Sequence, residues 1–431
     1  MTTEVAILNQ AGVALAADSA VTVTGSGAKE KVYNTVNKIF MLSKHHPVGV
    51  MVYGSANVNG IPWETLIKLY RKQLNGKSFN TIREYSANFL AFLSGSSSPI
   101  SDYQKDFFIL SKSQEICGII SAEVVDQFER ASAEEPTKPK DAGQIASYII
   151  EQIKIKIAEC VDLGKYEQVI KNLTAKYSDR QLSIIKGTFQ GFYDHIPTES
   201  INELIDALCT YFYSDFIIGG ESGIVISGFG EDEIFPKVTC LRIQGFFEGT
   251  GKFLRETAKC ADDSDDKFGA RVIPFAMDDM IHAFMTGLDP QIKKFLYASI
   301  ENTMPMIAEK VHRLLSQQGL ENSISIEKLR SITEVVGQQF HQGLDQFISD
   351  NHVSPVTNML QFLPKDELSE MAETLVSLIA FRKKVTYATE SVGGPIDVAM
   401  ITKGDGFVWV KRKYYFDPNL NQHYLSNYNR D

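Results

Sequence analysis

The sequence is poor in the residues that staple or anchor a chain. Its five cysteines, Cys117, Cys160, Cys209, Cys240 and Cys260, are odd in number, widely spaced and without a Cys-x-x-Cys pair. That excludes a disulfide framework or a clustered zinc site and fits reduced, mostly buried thiols. No apolar run approaches the ~18–20 residues of a membrane span. The chain opens Met1-Thr2-Thr3-Glu4, with no basic, apolar leader, so a cytoplasmic protein is expected. Positive charge is also scarce: 43 Lys and Arg against 53 Asp and Glu give a net charge of −10. A nucleic-acid or anionic-membrane binder normally shows a basic excess, so neither partner is expected. No metal or cofactor motif stands out, and none is expected.

What is present is an ordinary globular composition, 44% hydrophobic and 22% charged over 431 residues. Such a chain can bury a sizeable core in two to three domains, or in one domain with large insertions. The first sixty residues read as β-structure. Val5 and Ile7, then Val13, Leu15 and Ala17, alternate around the turn Asn9-Gln10-Ala11-Gly12. Ile39–Leu42 and Val48–Tyr53 are further short strands, and a helix follows Pro62 with Trp63, Ile67, Tyr70 and Leu74 on one stripe. Residues 96–214 read as helical, although Ile153-Lys154-Ile155-Lys156-Ile157 also alternates, which leaves a strand open there. Strand character returns at Gly223–Gly228 and Val238–Ile243. Residues 261–354 read mainly as helix, with Met280, Ile281, Phe284 and Met285, then Ile307, Val311, Leu314 and Leu315, as stripes expected to face a core. A helix from about Asp366 to Lys384 and a hairpin around Lys403-Gly404-Asp405-Gly406 close the pattern.

The chemistry is sharpest at the start. Methionine aminopeptidase normally removes Met1 when the next side chain is as small as threonine. Thr2 would then carry a hydroxyl nucleophile and a free α-amine on one residue. An α-amine titrates near pH 7.7–8.0, so it can accept the hydroxyl proton directly or through water.

Thr2 to Ile7 runs into Gly12-Val13-Ala14-Leu15-Ala16-Ala17-Asp18-Ser19-Ala20-Val21-Thr22. This resembles the amino-terminal hairpin of proteasome β-subunits and the bacterial peptidase HslV. Asn37-Lys38-Ile39 and Val52-Tyr53-Gly54-Ser55-Ala56 resemble later motifs of that family. Glu390-Ser391-Val392-Gly393-Gly394-Pro395-Ile396-Asp397 resembles the segment before its last hairpin, in the form closest to the ancestral β-subunit (Anbu) group. The resemblance implies a four-layer αββα amino-terminal-nucleophile hydrolase, an α/β (α+β) fold. Its discontinuous core would be 2–95, 215–260 and 355–417, interrupted by helical insertions 96–214 and 261–354 and followed by a tail, 418–431.

It also implies roles. Thr2 would be the nucleophile, Lys38 the buried cation beside it, and Asp18 the partner of that lysine. Gly54 would supply an oxyanion-hole N–H. Thr22 would pair its backbone with an extended peptide, and Val21 and Val52 would line an apolar specificity pocket. The expected substrate is a peptide or other amide, and the expected assembly a homo-oligomeric ring or spiral. Two positions depart from the family pattern. Thr389 stands where an aspartate is usual, and the Gly-Ser-Gly turn is matched only by Gly249-Thr250-Gly251, with Ser391 a further hydroxyl candidate. These departures leave a second expectation open, a β-subunit-like scaffold or binding module without turnover. Gly249-Thr250-Gly251-Lys252 lacks the upstream glycine of a phosphate loop, and Asp262–Asp266 lacks the glycine and glutamate of a calcium loop.

Overall fold

A computed structural model describes residues 3–24, 30–134, 141–261, 269–276, 279–320, 324–385, 393–423 and 426. The chain is mixed, 56% helix and 19% strand, with several antiparallel sheets, which places it in the α+β rather than the alternating α/β class. It opens with β1 (Thr3–Asn9), β2 (Gly12–Ala17), β3 (Val21–Thr24), β4 (Glu30–Tyr33), β5 (Ile39–Met41) and β6 (Val48–Gly54). The short strands β7 (Asn57–Val58) and β8 (Ile61–Pro62) lead into α1 (Trp63–Leu74), α2 (Ile82–Ser94), α3 (Asp102–Glu134), α4 (Ala142–Glu159), α5 (Leu163–Thr188) and α6 (Thr198–Tyr211). Then come β9 (Ser222–Gly228), β10 (Lys237–Phe247), β11 (Thr250–Arg255) and β12 (Arg271–Ala276). Helices α7 (Asp279–Thr286), α8 (Pro290–Gln317), α9 (Ile326–Ile348), α10 (Ser354–Leu360) and α11 (Lys365–Val385) precede β13 (Asp397–Thr402) and β14 (Gly406–Lys411). Two compact units result: 1–53, 227–237 and 262–431 form one, and 54–226 with 238–261 the other.

In the first unit the sheet order is β12-β1-β2-β13-β14. The β1–β2 turn is held by the Asn9 side chain, whose Oδ1 accepts the Ala11 N–H at 2.9 Å. Every residue of β1 is buried, so both faces of this strand are covered. One face, carrying Val5, Ile7, Ala16 and Val398, packs on Leu368, Ala372, Leu375 and Ile379 of α11, which recur at helical spacing. The opposite face of β13 meets the β5–β6 hairpin. A Cβ on Gly49 would lie 2.7 Å from Ile401 Cδ1 and 2.9 Å from the Phe407 ring, so glycine sets how closely the two layers approach.

Two sequence expectations for 261–354 are corrected here. First, the stretch is not all helix: β12 pairs antiparallel with β1, Val5 opposite Pro274, and forms a sheet edge. Pro274 cannot donate to a ladder, which weakens the strand signal but is tolerated on an edge strand. Second, the Ile307, Val311 and Leu314 stripe of α8 does not face a core; these residues are 42, 36 and 53% exposed. Helices α8 and α9 form an antiparallel hairpin, closed where Gly337 lies against Met304 and Ile300 and bridged by Lys293–Asp345 (2.7 Å) and Arg330–Glu309 (3.0 Å).

The second unit joins residues 54–95 and 215–226 to the helices of 96–214. Helices α3 to α6 share a core that includes Ile116, Ile150, Tyr177, Ile185 and Leu208, and Phe247 of β10 packs into it. The alternating isoleucines 153–157 are helical, part of α4. Helix α1 buries Trp63, Ile67, Tyr70 and Leu74 as their spacing predicts. Gly249 belongs to the turn between β10 and β11, whose register pairs Phe247 with Thr250. Lys252 is buried there and donates to the Tyr211 carbonyl at 2.7 Å and to Ser214 Oγ at 3.2 Å, beyond the C-terminus of α6. Among the described residues, no helix is long and apolar enough to cross a membrane.

Candidate active site

The hairpin β1–β2 ends where the chain turns from Ala17 into Asp18. Asp18 is 1% exposed and accepts four donors. Its Oδ1 takes the Thr3 N–H at 3.0 Å and the Lys38 ammonium; its Oδ2 takes the Ala20 N–H at 3.2 Å and the Gly393 N–H at 3.0 Å. Four donors on one carboxylate fix its orientation. Lys38 immediately precedes β5 and is 4% exposed. Its backbone is pinned by the Val52 N–H, 2.8 Å from the Lys38 carbonyl. The structure therefore brings Asp18 and Lys38 together.

Three further residues join them that the sequence reading did not single out. Glu4 is wholly buried, and its Oε1 lies 3.2 Å from Lys38 Nζ. It sits opposite Ala17 in β2, and Ala17 in turn sits opposite Asp397 in β13. Glu4, Ala17 and Asp397 thus form one cross-strand row. Asp397 is ion-paired with the Lys413 ammonium and also accepts the Lys413 N–H at 2.8 Å. Burial pulls the Lys413 ammonium below its ordinary value, the Asp397 hydrogen bond works against this, and the nearby Lys38 charge adds to the lowering.

The Gly-Gly-Pro segment closes the row from above. The Ser19 N–H donates to the Gly393 carbonyl at 3.1 Å, and the Ser19 hydroxyl to the Pro395 carbonyl. Gly394 has φ of +76°, and a Cβ there would lie 2.8 Å from the Asn34 carbonyl oxygen. Only glycine suits that position.

The other anticipated residues are placed as follows. Val21 and Thr22 are half-buried in β3, where they pair with Tyr33 and Val32 of β4. The Thr22 Oγ1 is buried without a hydrogen-bond partner among the described residues. Val52 is 6% exposed. Gly54 opens the second unit with φ of +76°, its backbone against the Glu221 carbonyl, which also accepts the Ser55 N–H at 2.9 Å. Thr2, Thr389 and Ser391 lie outside the described residues, as does the acidic loop Asp262–Asp266.

No protein-family model matches this chain, and no curated protein does. The site is therefore read from its own chemistry. It groups three buried carboxylates with the buried Lys38 and the half-buried Lys413, and Asp18 ties the group to the backbone nitrogen of Thr3. Among the described residues, no group of His, Cys, Asp and Glu could hold a metal ion. The five cysteines are free, and all but Cys160 are buried. The signal for Glu4 and Asp397 was available: each is a carboxylate in an otherwise apolar strand, and a buried charge requires a partner.

Proposed function

We propose that this chain is a proteasome-like amino-terminal threonine hydrolase, with an αββα core, that cleaves amide bonds of peptide substrates. The supporting observation is that Asp18 Oδ1 joins the Thr3 N–H to the Lys38 ammonium. The residue bonded to that Thr3 nitrogen is Thr2, and consecutive Cα atoms are ~3.8 Å apart. A buried cation and its counter-ion are thus held one residue from the anticipated nucleophile.

The reaction follows from these groups. With Met1 removed, the Thr2 α-amine takes the proton from the Thr2 hydroxyl, and Oγ adds to the substrate carbonyl carbon. The lysine charge lowers the pKa of hydroxyl and amine alike. The C–N bond breaks, the leaving amine carries off the proton, and an ester to Thr2 remains. Water, deprotonated by the same α-amine, hydrolyses that ester and frees the hydroxyl. Glu4, Asp18 and Asp397 stand against Lys38 and Lys413, and an ammonium on Thr2 would bring a third positive charge to this cluster.

The test is an intact mass with amino-terminal sequencing, followed by incubation with a β-lactone or epoxyketone and peptide mapping. Loss of Met1 and a covalent adduct on Thr2, absent in Thr2→Ala, is the expected result. Retention of Met1 in the purified protein removes the base and ends the proposal. A second reading, a β-subunit-like scaffold without turnover, is favoured by one observation. The Lys38 ammonium is clamped by two carboxylates, which blunts its pull on a neighbouring amine. A Met1-free protein that takes no adduct would select it.

A further inference from the structure

The outer face of α9 carries an apolar stripe that nothing among the described residues of the first unit covers. Ile332, Val336, Phe340 and Phe347 recur at helical spacing and are 50, 47, 42 and 58% exposed. Gly343, also exposed, occupies the remaining step of the stripe. The charged residues Arg330 and Asp345 turn away from this face, toward α8, where Glu309 and Lys293 hold them. With the adjacent Val335, 49% exposed, the face offers on the order of 400 Å² of apolar surface, the size of the largest patch on a typical monomer, which is often functional. It also approaches the apolar share of a standard interface of ~800 Å² per partner.

The stripe complements itself when it is read backwards. Set against a second α9 running the opposite way, with the crossing beside Phe340, Ile332 meets Phe347 and Val336 meets Gly343. The small glycine leaves room beside the two Phe340 rings. At each end, Lys328 of one copy comes opposite Asp350 of the other; both are exposed. Large faces small and positive faces negative, which is the requirement of a twofold contact. We propose that the outer face of α9 joins two copies of this chain antiparallel about a twofold axis beside Phe340. The contact does not depend on the hydrolase reading, since it uses no residue of that site.

Sedimentation of the full-length protein tests this, with circular dichroism confirming that each variant is folded. Phe340→Glu, a change at an exposed position, is expected to halve the assembly mass by weakening the contact roughly 100-fold. Lys328→Asp and Asp350→Lys are each expected to weaken it about tenfold, and the double reversal to restore it. A wild-type monomer at about 50 µM, or an assembly unchanged by Phe340→Glu, overturns the proposal. Failure of the double reversal to restore the contact overturns the antiparallel arrangement.

Discussion

Asp18→Asn is the most discriminating perturbation of the site, because it changes charge while nearly preserving shape. The aspartate accepts from Thr3 N, Lys38 Nζ, Ala20 N and Gly393 N, two donors on each oxygen. An asparagine offers one acceptor oxygen. Whichever way its amide is turned, an NH2 group faces two donors, and two hydrogen bonds are lost. Each buried donor left without a partner costs about 1–3 kcal/mol. Breaking a buried ion pair by removing one charge costs about 3–5 kcal/mol. Lys38 retains Glu4 at 3.2 Å, so the terms do not simply add, and about 4 kcal/mol is expected. A chain of two units does not give one well-defined unfolding free energy, so the assay is local. Hydrogen exchange of the peptide spanning residues 3–20, measured on the intact protein, reports the opening of β1, β2 and the Asp18 turn. About 4 kcal/mol corresponds to a loss of protection approaching 1,000-fold. A change below tenfold would refute the role of Asp18 as the hub of these strands. Glu4→Gln leaves all four Asp18 hydrogen bonds in place and is expected to produce a smaller change.

Lys252→Met should alter the pH dependence of stability. Burial lowers the Lys252 ammonium from 10.5 to about 7, so between these values the folded chain holds it neutral while the unfolded chain holds it charged. Unfolding then takes up a proton, and its contribution rises with pH by about 1.4 kcal/mol per unit. That contribution is complete above pH 10.5 and is lost as pH falls through about 7. Protection from hydrogen exchange in the peptide spanning residues 237–255, wild type minus variant, isolates this slope, and a difference that stays constant between pH 7 and 10 would contradict it. Gly54→Ala should destabilise the second unit by about 2–4 kcal/mol, because its φ is +76° and a Cβ would lie 2.5 Å from the Glu221 carbonyl oxygen. Calorimetry showing no lowered transition would mean that the backbone relaxes freely at this position.

The strands and helices with strong local punctuation were legible in the sequence. Alternation on either side of Asn9–Gly12 specified β1 and β2, and Pro62 with Trp63, Ile67, Tyr70 and Leu74 specified α1. Lys403–Gly406 specified the last hairpin. Strand β12 was not legible, because its stability comes from pairing with a strand more than 250 positions away and its own run is broken by Pro274. The exposure of α8 was not legible for a different reason. Helical periodicity shows that a helix has an apolar face, but not whether the chain supplies the surface that covers it.

The site divides along the same line. Asp18 and Lys38 were reached through the order of short motifs, since neither stands out as a single residue. Glu4 and Asp397 carried a local signal of their own, and Lys413, beyond the end of β14, carried none. Only the sheet register explains why two lysines arrive from separate segments. Glu4 and Asp397 lie on one row with Ala17 between them, so their backbones stand about two strand spacings, ~9.5 Å, apart. The chain brings Lys38 to the Glu4 end of the row, where Asp18 shares it, and Lys413 to the Asp397 end. The small side chain of Ala17 keeps the row open between them. Asp18, one residue further along, reaches back to the Thr3 nitrogen.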